Sequence, residues 1–225
     1  MENFNIPIIV SMTSWKKRIT NVKYVVSSIL QGTYKPDKII LNLSTDEFQD
    51  KHIPIDLKLL EKYTIFEINW VKENTKAFKK IIPTMELYPD SIIISIDDDI
   101  IYPRLFIETI LDSYKKQNKD IITLYRNKNK YEFDSVVGCG TLYTTSKLVP
   151  FISNHLNKEI INTNEDDTYY AWCAKHLNLS IGWLYNNMKE SKIRFFNEIE
   201  PMGGRLYKGY TGYNICKKYF DNINI

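Results

Sequence analysis

Asp97-Asp98-Asp99 closes the apolar run Ser91-Ile92-Ile93-Ile94-Ser95-Ile96, and Ile100-Ile101-Tyr102-Pro103 follows at once. A β-branched run of this length reads as a buried strand, so three carboxylates arrive together at its carboxyl end, the edge where open α/β sheets bind ligands. Crowded carboxylates repel one another. A hard divalent cation relieves that repulsion, and Mg²⁺ commonly takes one or two carboxylates and completes its shell with substrate phosphates. A solvated acidic turn capping the helix after Pro103 is the plainer reading, although one aspartate would suffice for a cap. A second acidic group, Asn164-Glu165-Asp166-Asp167-Thr168, opens a helical pattern. A carboxylate there can serve as a general base or simply complement the helix dipole, and spacing alone leaves both readings open.

Cations flank these groups. Arg18 follows the first strand, Lys79-Lys80 precedes the aspartate strand, and Arg205 and Lys208 flank Gly203-Gly204. Any of them could face an anionic ligand, although lysines are usually a solvated face. The paired glycines and Arg205 fit either a mobile lid or a plain surface loop. Trp15 could stack on a base or a sugar, or fill core. The three histidines, His52, His155 and His176, form no ligand motif with one another, so His176 reads as an ordinary residue of its helix.

The elements that must position these side chains follow from periodicity. Short apolar strands are predicted over residues 6–11, 38–43, 65–70 and 91–96. Between them, 21–31 is helical, with Val22, Val25, Val26, Ile29 and Leu30 on one face and a stop at Gly32. Residues 75–87 are helical, with Pro83 kinking or ending the helix early. A helix over 105–114 follows the aspartates. The second half is less regular: strands at 121–125, 132–137, 141–144 and 180–185, and helices at 146–155, 166–177 and about 213–220. The inner stripe of the 166–177 helix is predicted as Tyr169, Trp172, Cys173 and His176. Strand–helix alternation of this kind implies an α/β fold with a mostly parallel central sheet and helices on both faces.

At 225 residues and 44% hydrophobic content the chain is sized for one domain with a substantial core. A net charge of +3 gives no licence for nucleic acid as a partner. Cys139, Cys173 and Cys216 have neither metal-ligand nor disulfide-framework spacing. Without a signal-peptide pattern at the start or an apolar run long enough to span a bilayer, the expected location is the cytoplasm, or peripheral at the inner face of a cell membrane. The sequence leaves the oligomeric state open.

Four segments resemble glycosyltransferase family 2. Ser28-Ile29-Leu30-Gln31-Gly32-Thr33-Tyr34, followed by Lys38-Ile39-Ile40-Leu41, is similar to an early stretch of that family, and the aspartates resemble its D-x-D motif. Gly138-Cys139-Gly140-Thr141-Leu142-Tyr143 resembles its glycine-rich acceptor loop, and Glu165-Asp166 resembles its catalytic E-D pair. The order spans residues 6–186. Thr13-Ser14-Trp15 departs from the family pattern after the first strand, and Asn42-Leu43-Ser44-Thr45-Asp46 replaces an acidic turn after the second.

The resemblance implies a GT-A-type nucleotide-diphospho-sugar transferase fold over residues 1–225. Within it, 1–103 would be the nucleotide-sugar-binding half, 104–200 the acceptor half and 201–225 a terminal loop and helix. It implies transfer of a sugar from a nucleoside-diphosphate sugar to a glycan or lipid-linked glycan hydroxyl, with inversion and with Mn²⁺ or Mg²⁺ as cofactor. The Ile, Lys and Asn richness suggests an AT-rich bacterial genome, which makes a cell-surface glycan a natural acceptor. Asp166 would be the base and Asp167 its alternate. Asp99 would be the first choice of metal ligand, with Asp97 on the metal or the ribose and Asp98 in reserve. Thr13, Trp15, Arg18, Asp46, Lys79, Lys80, Asp97, Arg205 and Lys208 would line the donor site, and Gly138, Cys139 and Gly140 the acceptor loop. Two competing functions stand beside this one. A sugar-nucleotidyltransferase would want glycine in the segment Thr13-Ser14-Trp15-Lys16-Lys17-Arg18, which has none. A non-catalytic carbohydrate- or Ca²⁺-binding module would use the aspartates without turnover.

Overall fold

The computed structural model describes residues 5–127, 135–144, 148–184, 194–195 and 218–222. Strands β1 (Ile8–Thr13), β2 (Lys38–Ser44), β3 (Phe66–Val71) and β4 (Ile92–Ser95) form one half of a central sheet, and β6 (Ile121–Asn127), β7 (Ser135–Thr144) and β8 (Ile181–Trp183) form the other. The spatial order is β3-β2-β1-β4-β7-β6-β8. Every neighbour pair is parallel except at β7, which runs antiparallel to both β4 and β6. A separate two-stranded ribbon pairs β5 (Ile100–Ile101) with β9 (Arg194–Phe195). The α/β architecture read from the alternation of elements is therefore the one observed.

Two apolar layers cover the sheet because its strands carry large aliphatic side chains on both faces. Ile8, Val10, Met12, Ile39, Leu41, Ile92 and Ile94 pack against α1 (Val22–Leu30) and α4 (Phe106–Gln117). On the opposite face Ile9, Ile40 and Ile93 meet α3 (Ile82–Leu87), α5 (Leu148–His155), α6 (Lys158–Thr163) and α7 (Asp166–His176). A short helix α2 (Ile55–Lys58) continues into a 3-10 turn, Leu59–Lys62.

Four expectations change. Residues 75–87 are a 3-10 turn, Lys76–Lys80, followed by α3, and Pro83 stands in the first turn of α3. Proline there loses nothing, because first-turn N–H groups have no helical partner. Gly138-Cys139-Gly140 lies inside β7 and forms no loop. Helix α6 was not anticipated; its Asn157 cap accepts a hydrogen bond from the Ile160 N–H at 3.0 Å. Helix α7 has no single inner stripe: Tyr169, Tyr170, Ala171, Trp172, Cys173 and Ala174 are all buried, while His176 is half-buried. The terminal helix predicted at about 213–220 falls partly outside the described residues; 218–221 are helical.

Candidate functional site

On the face of the sheet toward α3 and α7, apolar residues give way to polar ones as the strands approach their carboxyl ends. Ile9 is followed on that face by Ser11, Ile40 by Asn42, and Ile93 by Ser95, all buried. Four charged side chains gather beyond these positions. Lys80, at the end of the 3-10 turn, places its ammonium 2.8 Å from Asp97 Oδ1 and 3.2 Å from Asp166 Oδ2. Arg18 Nη1 lies 2.7 Å from Asp98 Oδ1 and 3.1 Å from Asp99 Oδ2.

The three adjacent aspartates have different surroundings. Asp98 is only 4% exposed, and its other oxygen accepts from the Ser14 hydroxyl at 2.6 Å. With both oxygens engaged, Asp98 anchors Arg18. Asp97 and Asp99 are half-buried, in the turn between β4 and β5. The Asp97 N–H donates to the Tyr102 hydroxyl at 2.9 Å, which fixes the backbone at the head of the motif. Burial raises the Asp98 carboxyl above the ordinary aspartate range, against the pull of Arg18 and Ser14. Burial and then Asp97 raise Asp99, again against Arg18. No aspartate of this group caps α4, whose N-cap is Leu105 without a side-chain cap.

Asp166 begins α7 and is 6% exposed. Its Oδ2 is shielded from solvent and takes no hydrogen bond, so the contact with Lys80 is one of charge. Burial disfavours the Lys80 cation, but Asp166, Asp97 and Asp167 outweigh it and hold the ammonium protonated well above its usual range. Asp167 is half-buried and close enough to contribute to that field.

The remaining predicted residues divide. The Thr13 hydroxyl is buried and donates to the Asn42 carbonyl at 2.8 Å, so it ties β1 to β2. Trp15 is half-buried, with the Lys17 ammonium 5.1 Å from its ring centre. Asp46 is exposed at the end of β2, where its carboxylate accepts from the Asn74 N–H at 3.3 Å. Lys79 and Lys80, expected to line the donor site or else to form a solvated face, are both withdrawn from solvent. Lys79 is 1% exposed, with its ammonium on the Asn74 side-chain oxygen and on the Lys76 carbonyl. Burial lowers it to about 8, opposed by Glu47. Arg18 lies within the carboxylate cluster and does not stand open toward a phosphate. Gly140 has φ +132°, and a Cβ there would stand 2.7 Å from Phe106 Cζ, so this glycine admits the ring that packs at a tilt against Tyr102. Gly138 and Cys139 continue the same strand. Arg205 and Lys208, with the Gly203-Gly204 segment, lie outside the described residues.

Sequence reasoning missed Ser14 and Tyr102, which orient the motif. Nothing in their local pattern distinguishes them; only the fold brings them there. A shallow recess of about 400 Å³ near Lys16, Phe48 and His52 holds none of the clustered carboxylates. The convergent charges, not the recess, mark the site. Among the described residues no helix is long and apolar enough to cross a membrane.

Asp97 and Asp99 offer hard oxygens suited to a divalent cation, but no group of three metal-ligating side chains exists among the described residues. The pair fits a cation whose shell is completed by ligand phosphates.

No family model and no curated protein matches the chain. Solved structures do. The chain is similar to S. aureus TarS residues 1–349 in complex with UDP-GlcNAc, with a TM-score of 0.67 and 11% identity, covering 98% of this chain and 68% of that one. TarS 1–349 in complex with UDP gives 0.61 at 9% identity, covering 98% and 67%. A Bacillus anthracis protein described as a glucose-1-phosphate thymidylyltransferase, in complex with sucrose, gives 0.54 at 13% identity, covering 97% and 96%. The fold is the GT-A-like nucleotide-sugar transferase fold.

Proposed function

We propose that the protein is a glycosyltransferase that moves a sugar from a nucleoside-diphosphate sugar to an acceptor hydroxyl. The observation that carries this reading is the convergence of Asp97 and Asp166 on the Lys80 ammonium, beside Asp99, at the carboxyl edge of the sheet. The reaction needs positive charge where a diphosphate departs and a carboxylate where an acceptor proton is released, and this arrangement provides both.

In the proposed step the acceptor oxygen attacks the anomeric carbon as the bond to the diphosphate breaks, and Asp166 takes the acceptor proton. A single displacement of this kind inverts the anomeric centre. Asp166 suits the role because it opens α7 beside the carboxylate cluster, and among the described residues its Oδ2 makes a charge contact with Lys80 and no hydrogen bond. Asp99, with Asp97, would hold Mn²⁺ or Mg²⁺, which would supply Lewis-acid stabilisation of the leaving diphosphate. Asp98, saturated by Arg18 and Ser14, is left to position them. Asp46 and Trp15 remain candidates for the nucleoside end, and Lys80 for the diphosphate. The family resemblance points to a glycan or lipid-linked glycan as acceptor, at the inner face of a bacterial membrane.

The test is a panel of nucleotide sugars, beginning with UDP-GlcNAc, scored by released nucleoside diphosphate with Mn²⁺, with Mg²⁺ and with chelator. Metal-dependent release is expected. Likeness to the thymidylyltransferase favours one second reading, transfer of a nucleotidyl group to a sugar 1-phosphate. Pyrophosphate release from a nucleoside triphosphate plus a sugar 1-phosphate, with no diphosphate release from any donor, would establish that reading instead.

A further inference from the structure

The polar side chains beneath the site form a chain with a single direction. Asn69 Nδ2 donates to Asn42 Oδ1 at 2.8 Å, and Asn42 Nδ2 donates to Thr84 Oγ1 at 2.8 Å. Thr84 and Ser11 share a hydrogen bond of 2.6 Å, and the Ser11 hydroxyl reaches the Lys80 carbonyl at 2.5 Å. Because the Ser11 proton is committed to that carbonyl, Thr84 must be the donor to Ser11. Asn42 Nδ2 also approaches Ser11 Oγ at 3.2 Å. Ser11, Asn42 and Thr84 are each fully buried.

Such a chain is costly unless every member is satisfied, and aliphatic side chains would pack the same space between sheet and helix. Its terminus shows what it serves. Lys80 ends the 3-10 turn, where carbonyls lose their helical donors. Pro83, three residues on, has no N–H to return to it. The Ser11 hydroxyl supplies the missing donor from β1, the strand beside β4. The backbone that launches the Lys80 side chain is thereby fixed to the sheet that delivers Asp97.

We infer that Asn69, Asn42, Thr84 and Ser11 are positioning residues that set where the Lys80 ammonium stands between Asp97 and Asp166. The consequence for donor binding rests on the proposed function; the consequence for the ammonium does not. Two measurements separate them. The first is the lysine ammonium region of the ¹H–¹⁵N spectrum, with the Lys80 signal assigned by its loss in Lys80→Arg. The second is calorimetric binding of UDP-GlcNAc with Mn²⁺.

Ser11→Ala and the shape-matched Thr84→Val are expected to shift or lose the Lys80 signal and to weaken binding about tenfold, the scale on which outer-shell partners act. Thr84→Ser should restore both readouts. Thr123→Val removes another fully buried hydroxyl, one bonded to Thr141 at 3.2 Å, and should leave both unchanged. Should Ser11→Ala not fold, Thr84→Val carries the test. An unchanged Lys80 signal in the folded variants, or an equal change in Thr123→Val, overturns the inference. A wild type that binds no nucleotide sugar but loses its Lys80 signal in Ser11→Ala would overturn the functional reading and leave the positioning role standing.

Discussion

Asp99 and Asp166 are separated by their partners, and so are the expected effects of removing them. Asp99 is half-buried and shares only Arg18 Nη1, at 3.1 Å, with Asp98. Its removal leaves Arg18 paired, so Asp99→Ala should stay folded and lose metal-dependent donor binding, measured by calorimetry with Mn²⁺. Near wild-type affinity in that variant would remove Asp99 from the cation site. Asp166→Asn keeps the shape and drops the charge. An interaction made only in the transition state lowers turnover and leaves ground-state binding, so this variant should bind donor normally and turn over at least about a hundredfold more slowly. Weakened donor binding with unchanged turnover of bound donor would recast Asp166 as a binding residue, and the same defect in Asp167→Asn alone would move the base by one position. Lys79 behaves differently, because its ammonium is buried at a cost and lowered to about 8. Above that pH the unfolded chain holds a proton that the native state has shed, so native stability from this group rises as pH climbs from about 8 toward the ordinary lysine range. Urea midpoints across that window should climb in the wild type relative to Lys79→Met; parallel profiles would remove Lys79 as their source.

Strands β1, β2 and β4 carry apolar layers on two faces, but toward α3 and α7 their last side chains are polar. That pattern is visible in the sequence as Ile9-x-Ser11-x-Thr13, Ile40-x-Asn42-x-Ser44 and Ile93-x-Ser95-x-Asp97. Strands and major helices were legible because periodicity and burial are local. The aspartate motif was legible because a buried strand has to end somewhere, and carboxylates mark that end. The distinct environments of Asp97, Asp98 and Asp99 were not legible, since they depend on Ser14 and Arg18 reaching across from the turn after β1. The glycines of β7 were misread for a related reason. Glycine suggests a loop, whereas Gly140 is demanded by a ring from a distant helix. In Gly140→Ala the new methyl would meet Phe106 at 2.7 and 2.9 Å on a backbone at φ +132°. The expected loss is about 1–3 kcal/mol, read as a lowered Tm. Because Phe106 packs against Tyr102, whose hydroxyl holds the Asp97 N–H, Mn²⁺-dependent donor binding should weaken as well. A Gly140→Ala protein as stable as the wild type would mean that Phe106 can yield.

Across the whole molecule the net charge is +3, whereas the described side chains of the candidate site hold more carboxylates than cations. Among the described residues, Asp97, Asp98, Asp99 and Asp166 form ion pairs with Arg18 and Lys80, so four carboxylates meet two cations before Asp167 is considered. A divalent cation matches that excess, and protons are its competitors. Burial and the neighbouring Asp97 raise the Asp99 carboxyl above its unfolded value. Between the two values the native state binds a proton that the unfolded chain does not, so the metal-free protein loses stability as pH rises through that window. The proposed cation would gain by the same measure, because Asp99 is deprotonated only above that window. Mn²⁺ with UDP should therefore raise Tm more near neutral pH than on the acid side, and binding near the window should release protons, detected as a buffer-dependent heat. Asp99→Asn, which cannot titrate, should lose both the pH dependence and most of the shift. An equal Mn²⁺ effect at acid and neutral pH in the wild type would place the cation elsewhere, away from the carboxylates that the sheet delivers to this edge.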